Sequence, residues 1–245
     1  MTEHQQQTSE RGRQKRRLVK LLGVGAVTAG YWFGVRPRFS RWGGATPEEL
    51  TRPMAGDALL PNHTDVSTGA ITVNAPPEDI WPWLVQMGYQ RGGLYSYDWL
   101  DRLFGFLDRP SATRILSEFQ QLAVGDKIPW DGRGTTMTVE LVEPLRALAL
   151  SMKVGRNFVW IWQFGLYPID GQRTRFVQRG MEFVPKNPLW WLFERISEPA
   201  AFIMTRRFTL GVKQRAEALR ASTVPAPSDI PFPGATPTAG VGATG

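Results

Sequence analysis

The chain has 245 residues, no cysteine and a formal net charge of +7. The absence of cysteine excludes disulfides and thiolate chemistry, and two histidines, His4 and His63, are too few for a histidine-rich metal site, so we expect neither a metal ion nor a cofactor. Nine Lys/Arg and two Asp/Glu lie in residues 1–41, whereas residues 42–245 contain twenty of each kind. The main body is therefore neutral, and nucleic-acid binding is not expected.

The first 35 residues have the pattern of a membrane anchor. Residues 1–17 form a polar tail that ends in a basic cluster, and residues 18–35 are apolar apart from Lys20. As a helix, residues 21–35 would span roughly 22 Å, less than the roughly 30 Å of a bilayer core. Including residues 18–20, with Lys20 snorkelling toward the headgroups, nearly closes that gap.

The aromatic residues Tyr31, Trp32, Phe33 and Trp42 at the far end of the apolar run, and the basic residues after it, favour an uncleaved anchor. The alternative is a cleaved signal peptide, whose cut would follow Val27-Thr28-Ala29. Six Lys/Arg precede the run or interrupt its start, so the positive-inside rule places the N-terminus in the cytoplasm and the folded domain outside. Small residues spaced four apart would also allow a weak homodimer through this helix. They are Ala26, Gly30 and Gly34.

The rest of the chain divides into three parts by composition. Residues 36–65 contain scattered Pro and Gly and predict an extended connector that wraps onto the domain. Residues 66–221 carry the periodic apolar patterns of one folded domain. Residues 222–245 are rich in Pro, Ala, Gly, Ser and Thr and predict a disordered tail.

Alternation of apolar and polar residues predicts six strands between residues 66 and 184. One of them places Met137, Val139 and Leu141 on a single face, and the strand over residues 157–167 has apolar residues on both faces. These strands predict an antiparallel sheet. The residues that follow predict helices.

The segment over residues 188–220 predicts a short helix followed by a long one from about Glu198 to Ala221, with Ser197 as N-cap and Pro199 in the first turn. A run of strands followed by one long amphipathic helix predicts an α+β helix-grip fold, in which a curved antiparallel sheet wraps around the C-terminal helix. Such an arrangement commonly leaves a cavity between sheet and helix.

A helical insertion at about residues 95–120 separates the first strand from the others. Asp98 and Asp101 are three apart in it, so an acid/base pair beside Tyr97 is conceivable. The alternative is that the two carboxylates only stabilise the first turn of a helix, and we favour this alternative because the helix dipole attracts them whatever the function.

Two short motifs resemble the START-like superfamily, also called SRPBCC, and within it the bacterial polyketide cyclases and lipid-transfer proteins. One is Ala75-Pro76-Pro77 before Trp81 and Trp83, and the other is Arg91-Gly92-Gly93 followed by Tyr95-Ser96-Tyr97-Asp98-Trp99. The resemblance covers about residues 38–220 and implies a helix-grip fold with a hydrophobic pocket. It carries over no catalytic residues, because the superfamily includes enzymes, transfer proteins and binding proteins.

Ten tryptophans exceed what a core of this size usually needs. We expect some of the aromatic and methionine side chains to bind an apolar small molecule or lipid, although any single one is more commonly core. The candidates are Trp83, Tyr95, Trp99, Met137, Trp160, Trp162, Met204 and Phe208.

Three functions stay open at this point. We favour a membrane-tethered, non-enzymatic protein that binds a hydrophobic ligand. A cyclase- or dehydratase-like enzyme is the second, with Asp98 and Tyr97 as weak candidates for proton transfer and a buried carboxylate of raised pKa facing the pocket as its signature. The third is an interaction domain with a collapsed cavity.

Overall fold

The sheet has six strands and is antiparallel throughout. A computed structural model describes residues 23, 26, 30–35, 43–154, 158–183 and 187–223. The strand order is β1-β6-β5-β4-β3-β2, so the first two strands in the chain form opposite edges of the sheet. The strands are β1 (Asp65–Val73), β2 (Lys127–Pro129), β3 (Thr136–Glu143), β4 (Ala147–Val154), β5 (Phe158–Asp170) and β6 (Arg173–Phe183).

In the part of the chain that the structure describes, one long helix and three short ones accompany the sheet. They are α1 (Pro47–Thr51), α2 (Pro77–Val85), α3 (Asp98–Phe104) and α4 (Pro188–Thr223). Single helical turns also occur at Gly30–Val35, Asp57–Leu59 and Ser117–Phe119. The antiparallel sheet with a long C-terminal helix confirms the predicted α+β class, and it is the helix-grip fold that the START-like resemblance implied.

Both faces of β5 are buried, as its sequence predicts. Trp162, Phe164 and Leu166 point to the inner face of the sheet, which contacts α4, and Ile161 and Gln163 are buried on the outer face. The inner face forms the main core with α2 and with Phe208 and Val212 of α4. The outer face is covered by residues 43–65, so the predicted connector is part of the folded domain.

Two arginines of β6 hold this connector against the outer face. The Arg179 guanidinium contacts both oxygens of Asp57, at 2.8 and 3.0 Å, and donates to the carbonyls of Glu49 and Arg52. Arg175 pairs with both oxygens of Glu49, at 2.6 and 2.8 Å. Burial alone would raise the pKa of the Glu49 carboxyl, but the hydrogen bonds from Arg175 and Thr46 hold it below its ordinary value.

An extra residue in β3 changes which side chains face the core. Val139 pairs with Leu150, but Leu141 pairs with Ala149 and Val142 with Leu148, so Glu140 forms a β-bulge. The prediction that Leu141 shares a face with Val139 was therefore wrong. Val142 takes that place, because the bulge shifts the alternation by one residue.

The C-terminal helix is continuous, contrary to the predicted break before Pro199. A helix continues through proline at the loss of one backbone hydrogen bond. Residues 197–200, around the proline, are half-buried, so this part of the helix lies at the surface. The prediction treated Pro199 as a boundary because the sequence does not show this exposure.

Several predicted features lie wholly or partly outside the described residues. These are the basic tail over 1–17, most of the anchor over 18–35, and almost all of the tail over 222–245. Among the residues that the structure describes, no helix is long and apolar enough to cross a bilayer.

We expect Arg179→Ala to lower the free energy of unfolding by about 3 kcal/mol or more, because Asp57 and several buried carbonyls lose their common partner. Arg173→Ala is the matched control, since Arg173 forms an exposed pair with Asp170 and its loss should change stability by less than about 1 kcal/mol. Urea denaturation followed by circular dichroism measures both values. Equal effects of the two substitutions would contradict the role of Arg179.

Gly211 gives a second test, because α4 passes very close to the backbone of Tyr95 at this position. A Cβ on Gly211 would overlap the carbonyl oxygen of Tyr95. Gly211→Ala should therefore destabilise the protein by about 2 kcal/mol or more, although alanine in a helix is intrinsically better than glycine by about 1 kcal/mol. Ala218→Gly, at an exposed site of the same helix, measures that intrinsic preference alone. A stabilising Gly211→Ala would show that the contact is loose.

Candidate functional site

A chain of aromatic rings, here called the aromatic ladder, runs from α3 across the inner face of the sheet to α4. Neighbouring rings in it have centroids 4.8 to 5.9 Å apart. The ladder consists of Phe104, Phe106, Trp130, Trp160, Trp162 and Phe208. It runs from the exposed ring of Phe104 on α3 to the buried ring of Phe208 on α4.

Most of the predicted ligand-binding residues lie in this packed interior. Trp83, Tyr95, Met137, Trp162 and Phe208 are buried in the main core. The indole N–H of Trp162 donates to the side-chain oxygen of Gln178 at 2.8 Å, which satisfies its one polar atom. These five side chains therefore contact one another and the surrounding core residues.

The other three predicted residues lie nearer the surface. Trp160 is half-buried at the start of β5, and Gly180 on β6 leaves room for it, since a Cβ there would lie 3.2 Å from its indole nitrogen. Met204 is half-buried on α4. Trp99 is exposed on α3 and belongs to neither the core nor the ladder. The structure thus separates the predicted set instead of joining it around one space, and its role in binding stays a prediction.

Tyr95 fastens α2 and α4 together. Its hydroxyl donates to the carbonyl of Trp83 at 3.0 Å, and the Arg215 guanidinium lies 4.6 Å from the centre of its ring. Burial raises the pKa of the Tyr95 hydroxyl, so it stays a hydrogen-bond donor. Its backbone has a φ of 55°, an uncommon value for a residue with a bulky side chain. Neither property is visible in the sequence.

The predicted acid/base residues serve other contacts. The two carboxylate oxygens of Asp98 accept from the backbone N–H of Ser111, at 3.0 Å, and from its hydroxyl, at 2.7 Å. The ring of Tyr97 is exposed and lies 5.7 Å from the Arg207 guanidinium. Asp98 therefore attaches α3 to the loop that contains Ser111.

Asp101 is the carboxylate with an unusual environment. It is completely buried, and the hydroxyl of Ser96 lies 2.7 and 2.6 Å from its two oxygens. Burial, with a smaller contribution from the charge of Asp98, raises the pKa of the Asp101 carboxyl to about 6, although the hydrogen bond from Ser96 opposes this rise. The sequence shows the spacing of the two carboxylates but not that Asp101 is the buried one.

An open cleft lies beside α2, at the edge of the sheet. Strand β2 pairs with only three residues of β3, so residues 120–126 border the remainder of that strand. The cleft has a volume of about 620 Å³. This α2 cleft is lined by Trp81, Val85, Gln120, Gln121, Leu122, Ala123, Asp126, Val142 and Pro144.

Hydrogen bonds hold the walls of the α2 cleft in place. The side-chain amide of Gln120 donates to the carbonyl of Pro82 and to the side-chain oxygen of buried Gln86. Gln86 in turn accepts from the backbone N–H of Leu116 at 2.9 Å. The Asp126 carboxylate accepts from the backbone N–H of Ala123 at 2.8 Å. The cleft is therefore formed before any ligand arrives.

Sequence reasoning missed this cleft, because its loop has no apolar periodicity and the shortness of β2 follows from tertiary pairing. Its polar lining groups include the Asp126 carboxylate and no Lys or Arg.

Across the described part of the chain, no group of three His, Cys, Asp or Glu side chains is placed to hold a metal ion.

Comparisons with known proteins return distant structural similarity alone. The chain resembles a Mesorhizobium loti protein with 16% identity and a TM-score of 0.37, over 65% of this chain and 99% of that one. It resembles CalU16 of Micromonospora echinospora with 14% identity and a TM-score of 0.34, over 64% of this chain and 86% of that one. No protein-family profile matches the sequence, and no curated protein matches it. The fold assignment therefore depends on the strand order and on α4.

A third similarity is to a point mutant of norcoclaurine synthase from Thalictrum flavum, solved in complex with a transition-state analogue. The identity is 13% and the TM-score 0.35, over 62% of this chain and 96% of that one. This similarity is as distant as the other two, and it assigns no activity to this chain.

The raised pKa of Asp101 predicts a pH dependence of stability. In the unfolded chain the pKa returns to about 3.9, so between about pH 4 and pH 6 the folded chain retains a proton that the unfolded chain releases. The stability from protonated Asp101 is present below pH 4 and is lost as the pH rises through 6. Asp101→Asn does not titrate, so wild type should gain on the order of 2 kcal/mol relative to it between pH 7.5 and pH 4.

Urea denaturation of both proteins at the two pH values measures this change, and carboxylates common to both largely cancel in the difference. If the difference in unfolding free energy between wild type and Asp101→Asn does not change with pH, the Asp101 carboxyl has the same pKa in the folded and unfolded chains, and the prediction is wrong.

Proposed function

We propose that this chain is a binding protein for an apolar small molecule, and that the α2 cleft is the binding site. The observation that carries the proposal is the preformed volume of about 620 Å³ beside Trp81, Leu122 and Val142. Ligand pockets in proteins commonly measure about 300–1,000 Å³ and have mostly apolar walls with a few polar groups. The α2 cleft has a volume in this range, and its walls combine apolar side chains with the polar groups of Gln120, Gln121 and Asp126.

The polar lining groups favour a ligand that donates hydrogen bonds. The Asp126 carboxylate accepts a backbone hydrogen bond through one oxygen, which leaves lone pairs directed elsewhere. The amide nitrogen of Gln120 donates to groups in the wall, which leaves its oxygen as an acceptor. An apolar body with an N–H or O–H group fits these acceptors, whereas an anionic ligand would meet the charge of Asp126.

Binding is preferred over catalysis because the unusual carboxylate lies away from the cleft. Proton transfer requires a carboxylate of suitable pKa within hydrogen-bond reach of the substrate. Burial raises the pKa of both Asp101 and Asp79, but neither carboxylate lines the cleft, and the oxygens of Asp101 lie against the Ser96 hydroxyl. The carboxylate that does line the cleft, Asp126, is exposed. The enzyme alternative therefore lacks its central feature.

A membrane tether is the second part of the proposal. It is supported by the apolar run over residues 18–35 and by the basic tail before it. The excess of Lys/Arg before the run favours a cytoplasmic N-terminus and a domain on the other side of the membrane. Flotation of the full chain with vesicles after a high-salt wash tests the tether, because purely electrostatic attachment would be removed by the salt.

The binding site is tested by filling the cleft. Ala123 is exposed at its rim, so Ala123→Trp should occupy the cleft without removing a buried group. With N-phenyl-1-naphthylamine, a neutral apolar fluorophore with one N–H, we expect the dissociation constant to rise at least about tenfold, or about 1.4 kcal/mol. Ala218→Trp, at an exposed site on α4, is the matched control and should leave binding unchanged.

A third variant, Trp160→Ala, distinguishes the α2 cleft from the interior site predicted by the sequence. Loss of binding in Trp160→Ala with normal binding in Ala123→Trp would place the ligand at the aromatic ladder and refute the cleft. Normal binding in both variants would refute both sites.

A further inference from the structure

Helix α3 exposes its largest apolar side chains and buries its acids. Trp99 is 67% exposed and Leu103, one turn later, is 70% exposed. In the same helix Asp101 is completely buried and Asp98 is bonded to Ser111. A helix on the surface of a soluble domain normally has the opposite arrangement, with apolar residues inward.

This orientation is determined by hydrogen bonds. The hydroxyl of Ser96 holds Asp101, and the backbone and hydroxyl of Ser111 hold Asp98. Rotation of α3 to bury Trp99 would break all of these hydrogen bonds, which attach the helix to Ser96 and to the Ser111 loop. The outward position of Trp99 and Leu103 is therefore a stable property of the fold.

The N-terminal half of α4 carries a second exposed apolar stripe. Leu192, Ile196 and Ile203 are 49%, 71% and 51% exposed. Their spacings of four and seven residues place them on one side of the helix. Farther along the same helix, Phe208 and Val212 are buried in the core. Phe208 and Val212 lie on the opposite side of the helix from the stripe.

The two surfaces are neighbours, and the predicted anchor reaches one of them. Arg207, one turn after Ile203, lies with its guanidinium 5.7 Å from the ring of Tyr97, the residue directly before α3. The hydroxyl of Tyr31, near the end of the apolar run over residues 18–35, donates to the Glu198 carboxylate at 3.3 Å. An anchored run would therefore hold this half of α4 at the bilayer surface.

We propose that α3 and the N-terminal half of α4 form a docking face that rests on an anionic lipid bilayer. The docking face consists of Trp99, Leu103, Leu192, Ile196 and Ile203. The bilayer is the fitting partner because Tyr31 connects the predicted anchor to α4, and because indole and large aliphatic side chains bind at the bilayer interface. On the domain's side of the apolar run, Arg36, Arg38 and Arg41 supply positive charge that anionic lipids attract.

This inference rests on the membrane tether proposed above, and the test separates the two. The chain has no cysteine, so single cysteines allow labelling at one chosen position. The full chain carrying Leu103→Cys or Ile196→Cys is labelled with the environment-sensitive fluorophore NBD and reconstituted into vesicles of phosphatidylcholine and phosphatidylglycerol at a ratio of 3:1. Val66→Cys and Ile169→Cys, at exposed apolar positions on β1 and β5, are the matched controls.

Docking predicts that NBD at positions 103 and 196 becomes at least about threefold less accessible to aqueous iodide when vesicles are added, since an interfacial side chain lies about 5–10 Å into the headgroup boundary. It also predicts quenching at these positions by lipids with a doxyl group on the acyl chain. The labels at positions 66 and 169 should change little in either measurement.

Vesicle flotation with all four labels equally accessible to iodide would leave the tether and overturn the docking face. No flotation would overturn both. Protection of positions 103 and 196 that is already complete without vesicles would mean that a second copy of the chain, not lipid, covers this face. Circular dichroism confirms beforehand that each labelled variant keeps its helices.

Discussion

The contact between the inner face of β5 and Phe208 of α4 is the interaction on which the rest of the structure depends. The ring centroids of Trp162 and Phe208 are 4.8 Å apart, and Phe164 lies against both of them. Strand β5 lies in the middle of the sheet and has apolar residues on both faces, so other elements must shield each face from water. The helix supplies one cover and the connector over residues 43–65 supplies the other.

Buried charges decide how the smaller elements attach to this core. Arg175 and Arg179 attach the connector to the outer face, and Asp98 and Asp101 attach α3 to its neighbouring loops. Arg175, Arg179 and Asp98 each have two or more hydrogen bonds, because an unpaired charge in the interior would be far less stable than one in water. Asp101 accepts from the Ser96 hydroxyl. These hydrogen bonds fix the orientation of each attached element on the core. In α3 the consequence is an outward Trp99.

The same dense packing determines where a ligand has room. Between the sheet and α4, the rings of Trp162, Phe164 and Phe208 pack directly against one another. Space occurs instead where β2 is short and the loop over residues 120–126 takes its place beside β3. The proposed site therefore follows from an incomplete strand pairing at the edge of the sheet.

By itself the sequence determined the element order, the antiparallel α+β architecture and the two-sided burial of β5, because strand and helix periodicities are local properties of neighbouring residues. Only the tertiary structure decided the bulge at Glu140, the positive φ of Tyr95, the continuity of α4 through Pro199 and the burial of Asp101. Each of these depends on a contact between residues distant in the chain or on local exposure to water, which no spacing of residue types encodes. The tertiary structure also decided the α2 cleft, because the cleft is the space left between α2, β3 and the loop over residues 120–126.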